Sequence, residues 1–79
     1  MSVKLTTLLP LATVDRGETA TIGCLTTNAA LRARLEELGL VPGARLRVVK
    51  SGSPCILELG ASRLALRVED VDSILVTVS

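Results

Sequence analysis

Apolar and polar positions change period several times along this chain, and each change marks an element. From Glu18 to Leu25 they alternate, with Ala20, Ile22 and Cys24 on one side and Thr19 and Thr21 on the other, which predicts a strand. After Asn28 the period lengthens. Leu31, Leu35 and Leu38 follow at helical spacing, with Arg32, Arg34, Glu36 and Glu37 left to water. Asn28 suits the N-cap, where its side-chain oxygen accepts from a first-turn amide. Gly39 suits the left-handed position that ends a helix, with Leu40 folding back on Leu35 as in a Schellman cap. Val41-Pro42-Gly43-Ala44 then has the residues of a type II turn, proline fixing one φ and glycine accepting a positive one.

Alternation returns beyond the turn. In Arg45 to Lys50, Leu46 and Val48 point one way and Arg45 and Arg47 the other, the signature of a sheet with one wet face. Ser51-Gly52-Ser53-Pro54 predicts a turn. Cys55, Leu57 and Leu59 then alternate with Ile56 and Glu58, and Gly60-Ala61-Ser62 turns the chain into a strand over Arg63 to Arg67. Glu69 to Asp72 suits a single helical turn, and Ile74, Val76 and Val78 mark a closing strand. Residues 5 to 12, LTTLLPLA, are expected to form a lead-in segment or a short helical turn ended by Pro10, because the residue before proline avoids the helical region. Five strands and one helix in a single domain spanning 1–79 predict a mainly β fold, a small, partly open barrel whose curvature protects its edges.

Composition narrows what such a barrel can do. The chain has 79 residues, nine basic and eight acidic, with no His, Phe, Tyr or Trp. Its core is therefore small and aliphatic. Near-neutral charge gives no general attraction to nucleic acid or anionic membrane. The N-terminal stretch has a single Lys, and Thr and Pro10 interrupt its apolar run, so it matches neither a signal peptide nor a spanning helix. The expectation is a soluble, cytoplasmic protein without membrane insertion.

The chemistry-bearing residues are sparse. Catalysis needs a nucleophile with a base, an acid/base pair, or a metal with open coordination; here Cys24 and Cys55 stand apart, imidazole is missing, and Glu36 and Glu37 belong to a wet helix face. No catalytic residue, cofactor or metal site is assigned. Glu69, Asp70 and Asp72 form an acidic cluster read as a solvated turn, and both cysteines are read as small hydrophobes. Without aromatic rings, neither polyproline recognition nor base stacking is available. Arg45, Arg47, Lys50, Arg63 and Arg67 could gather on one sheet face, where an acidic protein surface is as good a partner as phosphate.

The stretch Leu35-Glu36-Glu37-Leu38-Gly39-Leu40-Val41-Pro42-Gly43-Ala44, followed by Leu46 and Val48-Val49, resembles the L-x-x-L-G-[LM]-x-P-G signature of the FeoA family, a small component of bacterial ferrous iron transport. Leu64-Ala65-Leu66-Arg67-Val68-Glu69-Asp70 with Ile74-Leu75-Val76 is similar to that family's closing segment. The resemblance implies an SH3-like β-barrel with a helix after the first strand and, at family level, a link to transition metals. It also implies a partner, the membrane transporter FeoB with its cytosolic GTPase domain. The same fold forms the C-terminal domain of metal-dependent repressors, which makes a regulatory barrel of that kind the alternative.

Leu, Val and Ile supply 27 of the residues, more than so small a barrel hides on its inner face. Leu40, Val41 and Pro42 at the helix end, with Leu8 and Leu9 of the lead-in, are the candidates for an exposed docking patch. Leu35, Leu38, Gly39, Pro42 and Gly43 would form the rigid corner behind it. A rigid corner loses little ordering entropy on binding. The expected function is a non-enzymatic interaction module, with self-association through the same patch as a further alternative.

Overall fold

The computed structural model describes residues 7–78. In chain order it contains β1 (Leu9–Pro10), a 3-10 turn (Leu11–Thr13), β2 (Thr19–Leu25), α1 (Ala29–Glu37), β3 (Arg45–Lys50), β4 (Cys55–Leu59), β5 (Ser62–Leu66), a short helix α2 (Val68–Asp72) and β6 (Ile74–Val78). The strands make one antiparallel sheet in the order β1-β6-β2-β3-β4-β5. The hairpins from β3 to β5 follow from tight turns, whereas β6 returns past them to pair with β2.

The inner face carries the alternation the sequence displays. Ala20 and Ile22, Leu46 and Val48, Cys55 and Leu57, and Ile74 and Val76 are buried in one aliphatic cluster, joined by Leu11, Val14, Leu66 and Val71 from the connecting segments. Burying each Val, Leu or Ile side chain of this cluster stabilises the fold by about 1.5–3 kcal/mol. The phase of β2 departs from expectation at one point. Ile22 pairs with Val76 but Cys24 pairs with Leu75, so Gly23 is an extra residue in a bulge. Cys24 is therefore only partly buried, and Leu25 takes the inward position instead.

The lead-in also differs from expectation. Pro10 does not end a helical turn: Leu9 and Pro10 pair with Val76 and Leu75, and the 3-10 turn begins after them. Proline is tolerated there because β1 is an edge strand. Residues 5 and 6 of the expected lead-in lie outside the described residues. The strand count is thus six rather than five, the addition being a two-residue edge.

Helix α1 forms as its caps dictate. The Leu31 amide donates to Asn28 Oδ1 at 2.8 Å. At the other end Gly39 adopts φ +94°, its amide donates to Glu36 O at 2.9 Å, and the Leu40 amide donates to Leu35 O at 3.0 Å. Those two bonds define a Schellman motif. Nine residues make a marginal helix in isolation, so tertiary anchorage matters, and Leu35 is its one fully buried side chain. Leu38, expected in the buried stripe, is 42% exposed; it is the C-cap, where the chain is already leaving the helix.

Candidate interaction surface

The corner after α1 is built by hydrogen bonds. Val41 O accepts from the Ala44 amide at 3.0 Å, closing the turn around Pro42, and Gly43 takes φ +91°. The corner is then clamped to the middle of β2: the Gly43 amide donates to Ile22 O at 2.8 Å and the Ile22 amide donates to Ala44 O at 2.9 Å. Its position is set by backbone rather than by mobile side chains.

Of the five residues expected on a docking patch, four are at the surface. Leu8 is 41% exposed, Leu9 38% and Val41 38%, and Pro42 is exposed. Leu40 is not: its side chain has 0% exposure and belongs to the core. The residue after a Schellman glycine packs back toward the helix, which turns Leu40 inward and leaves Val41 outward.

Backbone pairing links the segments that carry these four residues. Leu9 pairs with Val76, Val76 with Ile22, and Ile22 bonds to the Gly43–Ala44 backbone next to Pro42 and Val41. Leu8 leans over the β2 bulge, where a side chain at residue 23 would collide with Leu8 Cδ2. Gly23 is thus the seat for Leu8, a role that only pairing across the sheet reveals. Cys24, Leu25, Arg32, Glu36 and Pro42 line a shallow cleft of about 230 Å³. Arg32 is held against it by donating from Nη2 to Leu25 O at 3.1 Å. Val68 and Val78 are also exposed but were not anticipated; Val78 ends the alternation of β6 outside the core.

Of the five basic residues expected to gather, Arg47 and Arg63 meet on the outer face of β3 to β5; Arg45 and Lys50 are exposed on β3, and Arg67 follows β5 as the N-cap of α2. Glu58 lies between Arg47 and Arg63 in the cross-strand register and pairs with both, at 3.0 Å and 3.1 Å. Hydrogen bonding from Arg63, then the charge of Arg47, holds the Glu58 carboxyl below the usual carboxylate range. On the inner face, burial pushes the Cys55 thiol up. The acidic cluster does not converge: Asp70 is buried in α2 while Glu69 and Asp72 face solvent. Among the described residues no three His, Cys, Asp or Glu side chains are grouped to hold a metal, and no helix is long and apolar enough to cross a membrane.

Six antiparallel strands with one main helix after β2 define an SH3-like domain, a class marked by compact β architecture rather than by chemistry. The FeoA domain model matches residues 9–78. The chain belongs to the FeoA family. No curated protein matches it in sequence. Among similar solved structures is an iron uptake regulatory protein, FeoA, at 24% identity and a TM-score of 0.85, covering 92% of this chain and 100% of that one. Another is Stenotrophomonas maltophilia FeoA in complex with zinc, at 28% identity and a TM-score of 0.76, with 86% and 88% covered. That protein is described as a prokaryotic SH3 domain protein and suggested to be a ferrous iron transport activating factor. The T. acidophilum IdeR structure aligns at a TM-score of 0.87 over 99% of this chain but 37% of its own, at 16% identity. It shares the fold, and most of its length has no counterpart here.

Proposed function

We propose that this protein is a non-enzymatic, cytoplasmic accessory factor of ferrous iron uptake that docks on the cytosolic GTPase part of the FeoB transporter through Leu8, Leu9, Val41 and Pro42. Membership of the FeoA family supports the process, and the transport-activating role suggested for the S. maltophilia relative supports an accessory part in it. The observation that carries the docking reading is the exposed corner after α1. Val41 and Pro42 are exposed on a corner clamped to β2 by backbone hydrogen bonds, and Leu8 packs over Gly23 of the same strand. Clustered apolar residues on a fixed backbone suit a partner surface, whereas scattered ones need no explanation.

The test is calorimetric titration against the purified GTPase domain of the cognate transporter. Saturable binding is expected, preserved in Ala61→Asp, whose exposed side chain is in the turn between β4 and β5, and lost in Leu8→Asp and Val41→Asp. Circular dichroism confirms that each variant is folded. Absence of binding, or binding indifferent to both aspartates, would refute the reading.

A further inference from the structure

A second surface lies on the far side of the sheet order. β5 pairs only with β4 among the described residues, and no backbone hydrogen bond reaches residues 62–66 from any other segment. Leu59 and Ser62 pair across a two-residue loop, and the pair that closes such a hairpin exchanges both of its hydrogen bonds. Alternation then turns the backbone groups of Leu64 and Leu66 toward β4 and those of Arg63 and Ala65 outward. The edge is a row of donors and acceptors open to an added strand.

The charge beside that edge selects what can be added. Arg45, Arg47 and Lys50 are exposed on β3, Arg63 is exposed on β5 and Arg67 follows it as the N-cap of α2, and Glu58 is the single carboxylate on strands β3 to β5. Glu58 is already shared by Arg47 and Arg63, while Arg45, Lys50 and Arg67 make no ion pair among the described residues. The other described acids lie in the turn before β2, on α1 and on α2. A nearly neutral chain therefore presents a cationic face next to an open strand edge. A second copy of the chain would bring another cationic edge against the first and be repelled.

We infer that the β5 edge takes up an extended acidic segment of a partner protein as an additional antiparallel strand. Arg63 is outward on β5 with the small Ala65 two residues on, and Arg67, in extended backbone just past the strand, continues that alternation about 13 Å from Arg63. Leu64, half-buried, and Leu66, buried, face the other way. The segment that fits has acidic residues at its first and fifth positions, apolar residues at its second and fourth, and any residue between. Backbone bonds supply the pairing and the two carboxylates supply selection, independently of the apolar corner and of iron uptake.

The test is an NMR titration of the ¹⁵N-labelled protein with the capped peptide SEVTVES, and with SKVTVKS as its charge-reversed control. Saturable shifts confined to residues 62–67 and their neighbours in β4 are expected with the acidic peptide alone, weakening as salt rises. Ala65→Pro removes an outward amide without touching the β4 ladder and should abolish binding. Arg67→Ala, which stands even if the proline variant does not fold, should weaken it about two- to fivefold. No saturable shifts, equal binding of SKVTVKS, or shifts unaffected by Arg67→Ala would overturn the inference. So would a short DNA duplex binding the same residues more tightly than the peptide, which would assign the face to phosphate.

Discussion

Leu40 offers the sharpest test of how the corner is built, because its expected place at the surface and its observed place in the core lead to opposite outcomes. Its side chain is fully buried among Leu35 and the other aliphatic residues. Leu40→Ala would remove three carbons, Cγ and its two methyl groups, from a packed site, which costs about 2–5 kcal/mol including the residual cavity. A chain of this length has a total stability of roughly 4–12 kcal/mol, so the variant forfeits a large share of it. Val41→Ala, one residue along and 38% exposed, should stay within about 0.5 kcal/mol of the parent. With no Trp, Tyr or Phe to report by fluorescence, urea unfolding would be followed by far-UV circular dichroism. At a slope of about 1 kcal/mol per molar, the Leu40→Ala midpoint should fall by about 2 M or more with the slope unchanged. A loss below about 1 kcal/mol, or one no larger than that of Val41→Ala, would refute the buried anchor.

Three further outcomes are expected. Gly39→Ala places a Cβ 2.9 Å from Leu59 Cδ2 at φ +94°, whereas Gly43→Ala meets the same backbone strain with nothing within 4 Å; each should cost about 1–2 kcal/mol, and urea midpoints should show Gly39→Ala the worse of the two. Glu58 has a folded pKa below its unfolded one, so its contribution is present above the unfolded value and is lost as pH falls through the folded value. An NMR titration of its side chain should show that lowered midpoint returning toward the ordinary glutamate range in Arg63→Ala. For the cysteines, Cys24 is partly exposed and Cys55 buried with its thiol pushed up; Ellman's reagent should titrate Cys24 in the folded protein and Cys55 only as urea unfolds it. Prompt reaction of both thiols would contradict the burial of Cys55.

The features legible in the sequence are those whose chemistry is local. Asn28 caps α1 through an amide three residues away, Gly39 supplies the positive φ that ends it, and Pro42-Gly43 dictates its turn without reference to the rest of the chain. The alternation of β3 was readable because one face is aliphatic and the other charged. Features fixed by pairing between distant segments were not. The bulge at Gly23 arises from the mismatch of β2 against β6, so simple alternation placed Cys24 where Leu25 belongs. β1 has two residues, too few for any periodicity, and exists because β6 lends it a partner. The ion pairs of Glu58 follow from a register that alternation alone leaves open.

The misplacement of Leu40 also bears on how docking would work. Five residues in a row, Leu38 to Pro42, are apolar or glycine, and composition alone cannot say which of them a partner would meet. The Schellman bonds decide it by turning Leu40 under the helix, so the next residues, Val41 and Pro42, emerge on a segment anchored from below by a buried leucine and from the side by Ile22. Leu40 would then serve docking without touching the partner, by fixing the direction in which its neighbours leave the core. Loss of binding in a Leu40 variant therefore reports on the population of folded protein, and only substitutions at Leu8, Leu9, Val41 or Pro42 probe the contact itself.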